Sequence, residues 1–164
     1  MKNIYSDLWI GSAQDYENDI KYKNDWKVVQ AAKDPYHRKA VAYLGELAIT
    51  HPEYLYCIRD RHMILNMIDA NNYIYINEKM VDEALEFINT GLYNNYKVLI
   101  HCNQGYSRAP TLGFLYLLRY TDVFETKIFA EACQKYQHIY PSYNPGNGLL
   151  EFMMYRWDKY SEKL

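Results

Sequence analysis

Cysteine is scarce in this chain of 164 residues: there are three, Cys57, Cys102 and Cys133, and no C-x-x-C pair among them. So sparse and odd a set argues against a disulfide scaffold and for a reducing compartment, hence a cytoplasmic protein. The five histidines are scattered, with no Cys/His ligand spacing, so no metal site is expected. Long apolar runs are also missing. No stretch approaches the ~18–20 continuous apolar residues of a membrane span. The opening residues, Met1-Lys2-Asn3-Ile4-Tyr5, lack the apolar run of a signal peptide. Charge of one sign is missing too. A formal net charge of −2 argues against a polyanion-binding protein by composition and leaves room for a local basic site.

What the chain does hold is tyrosine, 19 in all. Codon bias in an A/T-rich genome is the plain reading. A stacking surface for nucleic acid is the sharper one, but it calls for a basic stripe that the sequence lacks. The length suits one domain over residues 1–164 with a single core. Repeats, linkers and low-complexity segments are absent.

Residues 8–11 (LWIG) read as a short strand ended by glycine, and residues 26–31 (WKVVQA) as a second. Between residues 33 and 61, Val41, Leu44, Leu47 and Ala48 keep helical spacing, punctuated by Pro35 and Pro52. Residues 62–68 (HMILNMI) predict a buried strand leading to Asp69. Met80, Ala84, Phe87, Ile88 and Leu92 share one face of an amphipathic helix that Asn94-Asn95 ends. Residues 97–100 (KVLI) predict a central parallel strand running into His101-Cys102. Pro110 fits the first turn of a buried helix over residues 109–120. Two further helices are expected near residues 122–138 and 147–162. Strands alternating with helices, then a helical end, predict an α/β fold with a mostly parallel sheet flanked by helices.

The chemistry concentrates in residues 101–108, HCNQGYSR. A cysteine closes a buried strand, a five-residue loop containing Gly105 follows, and Arg108 opens a buried helix. In a strand–loop–helix turn, loop N–H groups converge on one point with a helix N-terminus behind them. Such a point attracts an anion and favours a thiolate over a thiol. Glycine permits the backbone angles of a tight nest. An arginine can fork two N–H donors onto two phosphoryl oxygens. One loop thus offers a nucleophile beneath a phosphate cradle.

This H-C-x5-R pattern resembles the signature of the cysteine-dependent protein tyrosine phosphatase superfamily. The longer string from His101 to Leu112 resembles the dual-specificity branch, where an apolar helix follows the loop. The resemblance extends over about residues 62–155, and more faintly to residues 8–12 (LWIGS), which look like the family's first strand. Rhodanese-like sulfurtransferases, the nearest confusable class, carry a loop of different size. The resemblance implies a phosphocysteine intermediate, with Cys102 as nucleophile, and no cofactor. Asn103, Gln104, Gly105, Tyr106, Ser107 and Arg108 would form the phosphate-binding loop. The implied substrate is phosphotyrosine in proteins, with phosphoserine and phosphothreonine admitted by a shallow pocket. It also implies an aspartate that protonates the leaving oxygen. Asp69, 33 residues before Cys102 at a strand end, stands at the matching position, with Asp60 and Asp82 as competitors. His101 would orient the loop from beneath through hydrogen bonds, with a merely buried and satisfied histidine as the alternative, and residues 144–148 (NPGNG) resemble a turn that packs behind it. Cys57 and Cys133 read as packing residues.

One residue departs from the family. The position after the arginine usually holds Ser or Thr, whose hydroxyl helps the thiolate leave, and here it is Ala109. Ser107 is the nearby hydroxyl that could contribute, although it sits on a different side of the turn. Two rivals stay open: the same chemistry on an RNA 5′ end, a phosphoinositide or a small metabolite, and a non-catalytic phosphate-binding module.

Overall fold

The computed structural model describes residues 1–162. Six strands, β1 (Lys2–Tyr5), β2 (Leu8–Ser12), β3 (Trp26–Gln30), β4 (Tyr56–Arg59), β5 (His62–Leu65) and β6 (Lys97–Cys102), form one sheet in the order β1-β2-β6-β3-β5-β4. The inner four, β2, β6, β3 and β5, run parallel, and β1 and β4 close the edges antiparallel. The predicted mostly parallel α/β fold is therefore what the chain adopts. Its central strand β6 is flanked on both sides, with Ser12 of β2 in register with Cys102 and Gln30 of β3 in register with His101.

Side chains of β6 alternate between two unequal layers, as a strand's period of two requires. Val98, Ile100 and Cys102 join the main core, and Leu99 joins a small cluster with Tyr16, Ile20, Trp26 and Val28. The main core is closed by α3 (Glu78–Tyr93) and α4 (Arg108–Tyr120), which pack on β6 and on each other. Asn77 caps α3 by accepting the Met80 N–H at 3.1 Å. Pro110 sits in the first turn of α4, where no intrahelical partner awaits its absent N–H. Ten consecutive residues of α4, Ala109 to Leu118, are buried, so this helix is the spine of the domain. Across the sheet, α1 (Ala13–Asp15) and the turns through Ile20 form the thinner cover.

Several segments differ from the sequence-based expectation. The helical spacing around Val41 yields only α2 (Arg38–Val41), because Ala42 turns left-handed at φ 60° and ends it. Leu44 beyond it is 98% exposed, so its spacing marks no buried face. Strands β1 and β4 flank the predicted ones without having been expected. The helix expected over 122–138 is α5 (Phe129–Ile139), and that over 147–162 is two pieces, α6 (Asn147–Tyr155) and α7 (Trp157–Ser161), broken at Arg156. No helix among the described residues is long and apolar enough to cross a membrane.

Candidate active site

The loop after β6 folds back on the end of its own strand. Gly105 N–H donates to Cys102 Sγ at 3.3 Å, and the sulfur is buried with it. Gly105 has φ +80°, and a Cβ there would lie 3.0 Å from the Gly11 carbonyl oxygen. Both conditions select glycine: the left-handed backbone and the close approach to β2. The loop main chain is pinned from three further directions. Ala13 N–H donates to Asn103 O at 3.2 Å, Tyr140 O–H to Gly105 O at 3.0 Å, and Asn144 N–H to Tyr106 O at 2.9 Å. Burial, with the nearby Cys102 charge adding to it, pushes the Tyr140 phenol up to about 12, so it remains a donor at neutral pH. The turn of residues 144–148 thus packs on the loop as the resemblance implied.

Arg108 opens α4, partly buried, and its Nη1 donates to Met67 O at 3.1 Å. That bond joins the loop to the segment two residues before Asp69. The buried Nε has no protein partner, which leaves it as a donor for a phosphoryl oxygen. Asp69 is exposed at the mouth of the loop, and its Oδ1 accepts the Ser107 hydroxyl at 2.9 Å. Cys102, Arg108 and Asp69 therefore meet at one loop, although 33 residues separate the last from the first. The competing aspartates do not join them. Asp60 lies in the β4–β5 turn, at the opposite end of the parallel strands, and pairs with Arg61. Asp82 pairs with Lys159 and accepts the Tyr160 hydroxyl.

Two further residues beside the nucleophile, His101 and Ser107, are held in different ways. His101 makes no hydrogen bond through either ring nitrogen. It is held instead by aromatic rings: Tyr16 stacks on it at 4.7 Å and 7°, and Tyr36 meets it edge-on at 4.9 Å. Burial pushes its imidazole down to about 3, against a smaller opposing pull from the Cys102 backbone, so the ring is a neutral packing plate under the loop. Ser107 is not free to assist the sulfur, because its hydroxyl donates to Asp69 and accepts the Gly146 N–H at 2.9 Å. Ala109 is fully buried in the first turn of α4.

Sequence reasoning did not single out Tyr16, Tyr140 or Gly146. The aromatic pair Tyr140 and Tyr143 flanking Pro141, just before the glycine-rich turn, was a signal for the second; nothing in the sequence marked Tyr16. A cavity of about 470 Å³ also abuts the Asp69 segment through Ile68 and Lys33. Its lining includes no residue of the Cys102–Arg108 loop, and no phosphate cradle faces it.

Comparison with known proteins bears on this arrangement. The model of the dual specificity phosphatase catalytic domain matches residues 10–154. The chain belongs to this family. The human dual specificity protein phosphatase 9 is 34% identical over 70 residues, 43% of this chain and only 18% of that protein's length. Among solved structures, the human tyrosine phosphatase-like serine/threonine/tyrosine-interacting protein shares the fold, with a TM-score of 0.66 at 18% identity over 98% of this chain and 97% of the other. The PTP-2 phosphatase of Cydia pomonella gives 0.62 at 20% identity over 94% and 88%. Cys102, Arg108 and Asp69 all lie within the residues matched to this dual specificity phosphatase family. Among the described residues no group of three His, Cys, Asp or Glu could hold a metal ion.

Proposed function

We propose that the protein hydrolyses phosphate monoesters, foremost phosphotyrosine in proteins, through a phosphocysteine at Cys102. The observation that carries this reading is the meeting of Cys102, Arg108 and Asp69 at one loop. In the first step the Cys102 thiolate attacks phosphorus and the bond to the ester oxygen breaks. Arg108 and the loop N–H groups hold the equatorial oxygens as charge develops on them. Asp69 gives its proton to the departing oxygen. In the second step water attacks the phosphocysteine, Asp69 takes a proton from it, and the thiolate leaves.

The surroundings favour a peptide-borne aryl phosphate over a polyanion. Asn103 and Gln104 are exposed and neutral at the rim, and Tyr106 and Ile68, 50% and 40% exposed, offer apolar flanks to a ring. An RNA end or a phosphoinositide carries further charge that calls for a basic rim. A binding-only role has one feature in its favour, Ala109. The fold does not separate the two, since it is shared with a protein described as phosphatase-like and interacting. The test is phosphate release from para-nitrophenyl phosphate and a phosphotyrosine peptide with EDTA present. Steady turnover is expected. Saturable phosphate binding with no release would assign the domain to binding instead.

Ala109 carries its own prediction. With no hydroxyl at that position and Ser107 committed to Asp69, loss of the thiolate from phosphocysteine becomes the slow step. Rapid mixing should show a phenol burst approaching one equivalent per site, then a slower steady state. Ala109→Ser should speed the steady state and shrink the burst. A wild type without a burst, unchanged by Ala109→Ser, removes this role for the missing hydroxyl.

A further inference from the structure

We propose that Ser107 is a positioning residue that fixes Asp69 and decides which carboxyl oxygen carries the transferred proton. The inference rests on the reading of Asp69 as the acid. Gly146 N–H, which can only donate, points at Ser107 Oγ at 2.9 Å. The single hydroxyl proton is then directed to Asp69 Oδ1, also at 2.9 Å. An oxygen that already accepts this bond is the less basic of the pair, so the acidic proton favours the other. Oδ2 therefore bears it, delivers it to the leaving oxygen, and takes one back from water in the second step. The N-terminus of α6, through Gly146, and the phosphate-binding loop, through Ser107, thus aim the acid jointly.

Two observations separate this role from ordinary loop packing. First, the Ser107 main chain is held without its hydroxyl: Thr111 N–H and Thr111 Oγ1–H both donate to Ser107 O, at 3.0 and 2.8 Å. Together with the bonds from Ala13, Tyr140 and Asn144, this leaves the loop little need of the Ser107 side chain. Second, a Cβ on Gly146 would lie 2.5 Å from Asp69 Oδ1, closer than any real contact of that kind. The backbone angles of Gly146, φ −62° and ψ 155°, suit any residue. A methyl there would therefore displace chiefly the Asp69 carboxylate, since its other neighbours, Asp69 Cγ and Ser107 Oγ, lie at ordinary distances of 3.5 and 3.7 Å. Removing the hydroxyl frees the acid to wander; adding a methyl at 146 pushes it out. The two changes perturb one carboxylate from opposite sides.

The experiment compares Ser107→Ala, Gly146→Ala, Asp69→Asn and Ser107→Ala/Asp69→Asn on two substrates. One is a phosphotyrosine peptide, whose leaving oxygen needs a proton. The other is 2,4-dinitrophenyl phosphate, whose leaving group needs little help. Ser107→Ala should lose about 10- to 100-fold in the first-step rate on the peptide, the range for one hydrogen bond to a charged group. The loss should shrink on the dinitrophenyl ester, and Gly146→Ala should show the same selectivity. Inhibition by inorganic phosphate should change little in either variant, since the cradle stays intact. The double variant should be no slower on the peptide than Asp69→Asn alone, because a residue acting through the acid has no effect once the acid is gone. Equal losses of Ser107→Ala on both substrates, or losses that add to those of Asp69→Asn, overturn the proposal and leave Asp69 as the acid. If Asp69→Asn itself is unselective, the reading of Asp69 fails, and the positioning role falls with it.

Discussion

Cys102→Ser should lower turnover of aryl phosphates by roughly 10⁶-fold, the scale reached when a covalent nucleophile is removed from a site that works as a unit. The replacement is nearly isosteric, so the Gly105 N–H that donates to Sγ meets a hydroxyl oxygen instead. A serine hydroxyl in that place keeps its proton at neutral pH and attacks phosphorus poorly. The cradle is untouched, because it consists of backbone N–H groups and Arg108. Competition with inorganic phosphate should therefore give an affinity close to that of the wild type. The same variant, holding substrate without turning it over, should retain phosphoproteins in a pulldown. Activity within tenfold of wild type would remove Cys102 from the mechanism.

Asp69→Asn should slow the first step by ~10²–10⁴ when the leaving group is tyrosine, the usual yield of a positioned proton donor. Asparagine keeps the shape and can still accept from Ser107, so the loop should hold its conformation. What it lacks is a transferable proton. The deficit should contract with dinitrophenyl phosphate, whose phenolate leaves unaided. Losses of the same size on both substrates would make Asp69 a structural brace.

The parts of this fold that the sequence revealed are those whose pattern is local. Residues 97–100 announced β6 because a central parallel strand is covered on both faces, and α3 announced itself through one apolar face. Strand β1 was hidden because three of its four residues are exposed and leave no alternation to read. Strand β4 is likewise an edge, with Ile58 and Arg59 exposed. Around Leu44 the apolar spacing was accidental, since a backbone reversal at Ala42 overrides it. The site divides in the same way. Cys102 and Arg108 sit in one contiguous string, so spacing alone exposes them. Ser107, Asp69 and Gly146 come from three loops, and a serine in a loop reads as a turn residue until its partners are placed. His101 shows the opposite failure: a histidine beside the nucleophile suggests hydrogen bonding, whereas the fold surrounds it with tyrosine rings.

The seat of His101 reaches beyond the loop it supports. Burial holds this imidazole down to about 3, well below its ordinary 6.5, and burial also lowers His37 and His62. Between those two values the unfolded chain binds protons that the native chain refuses. The contribution of these histidines to native stability is therefore whole above about pH 6.5 and is lost as pH falls, by up to ~1.4 kcal/mol per pH unit for a histidine wholly excluded from protonation, as His101 is. Acid thus acts on this protein through its folding equilibrium.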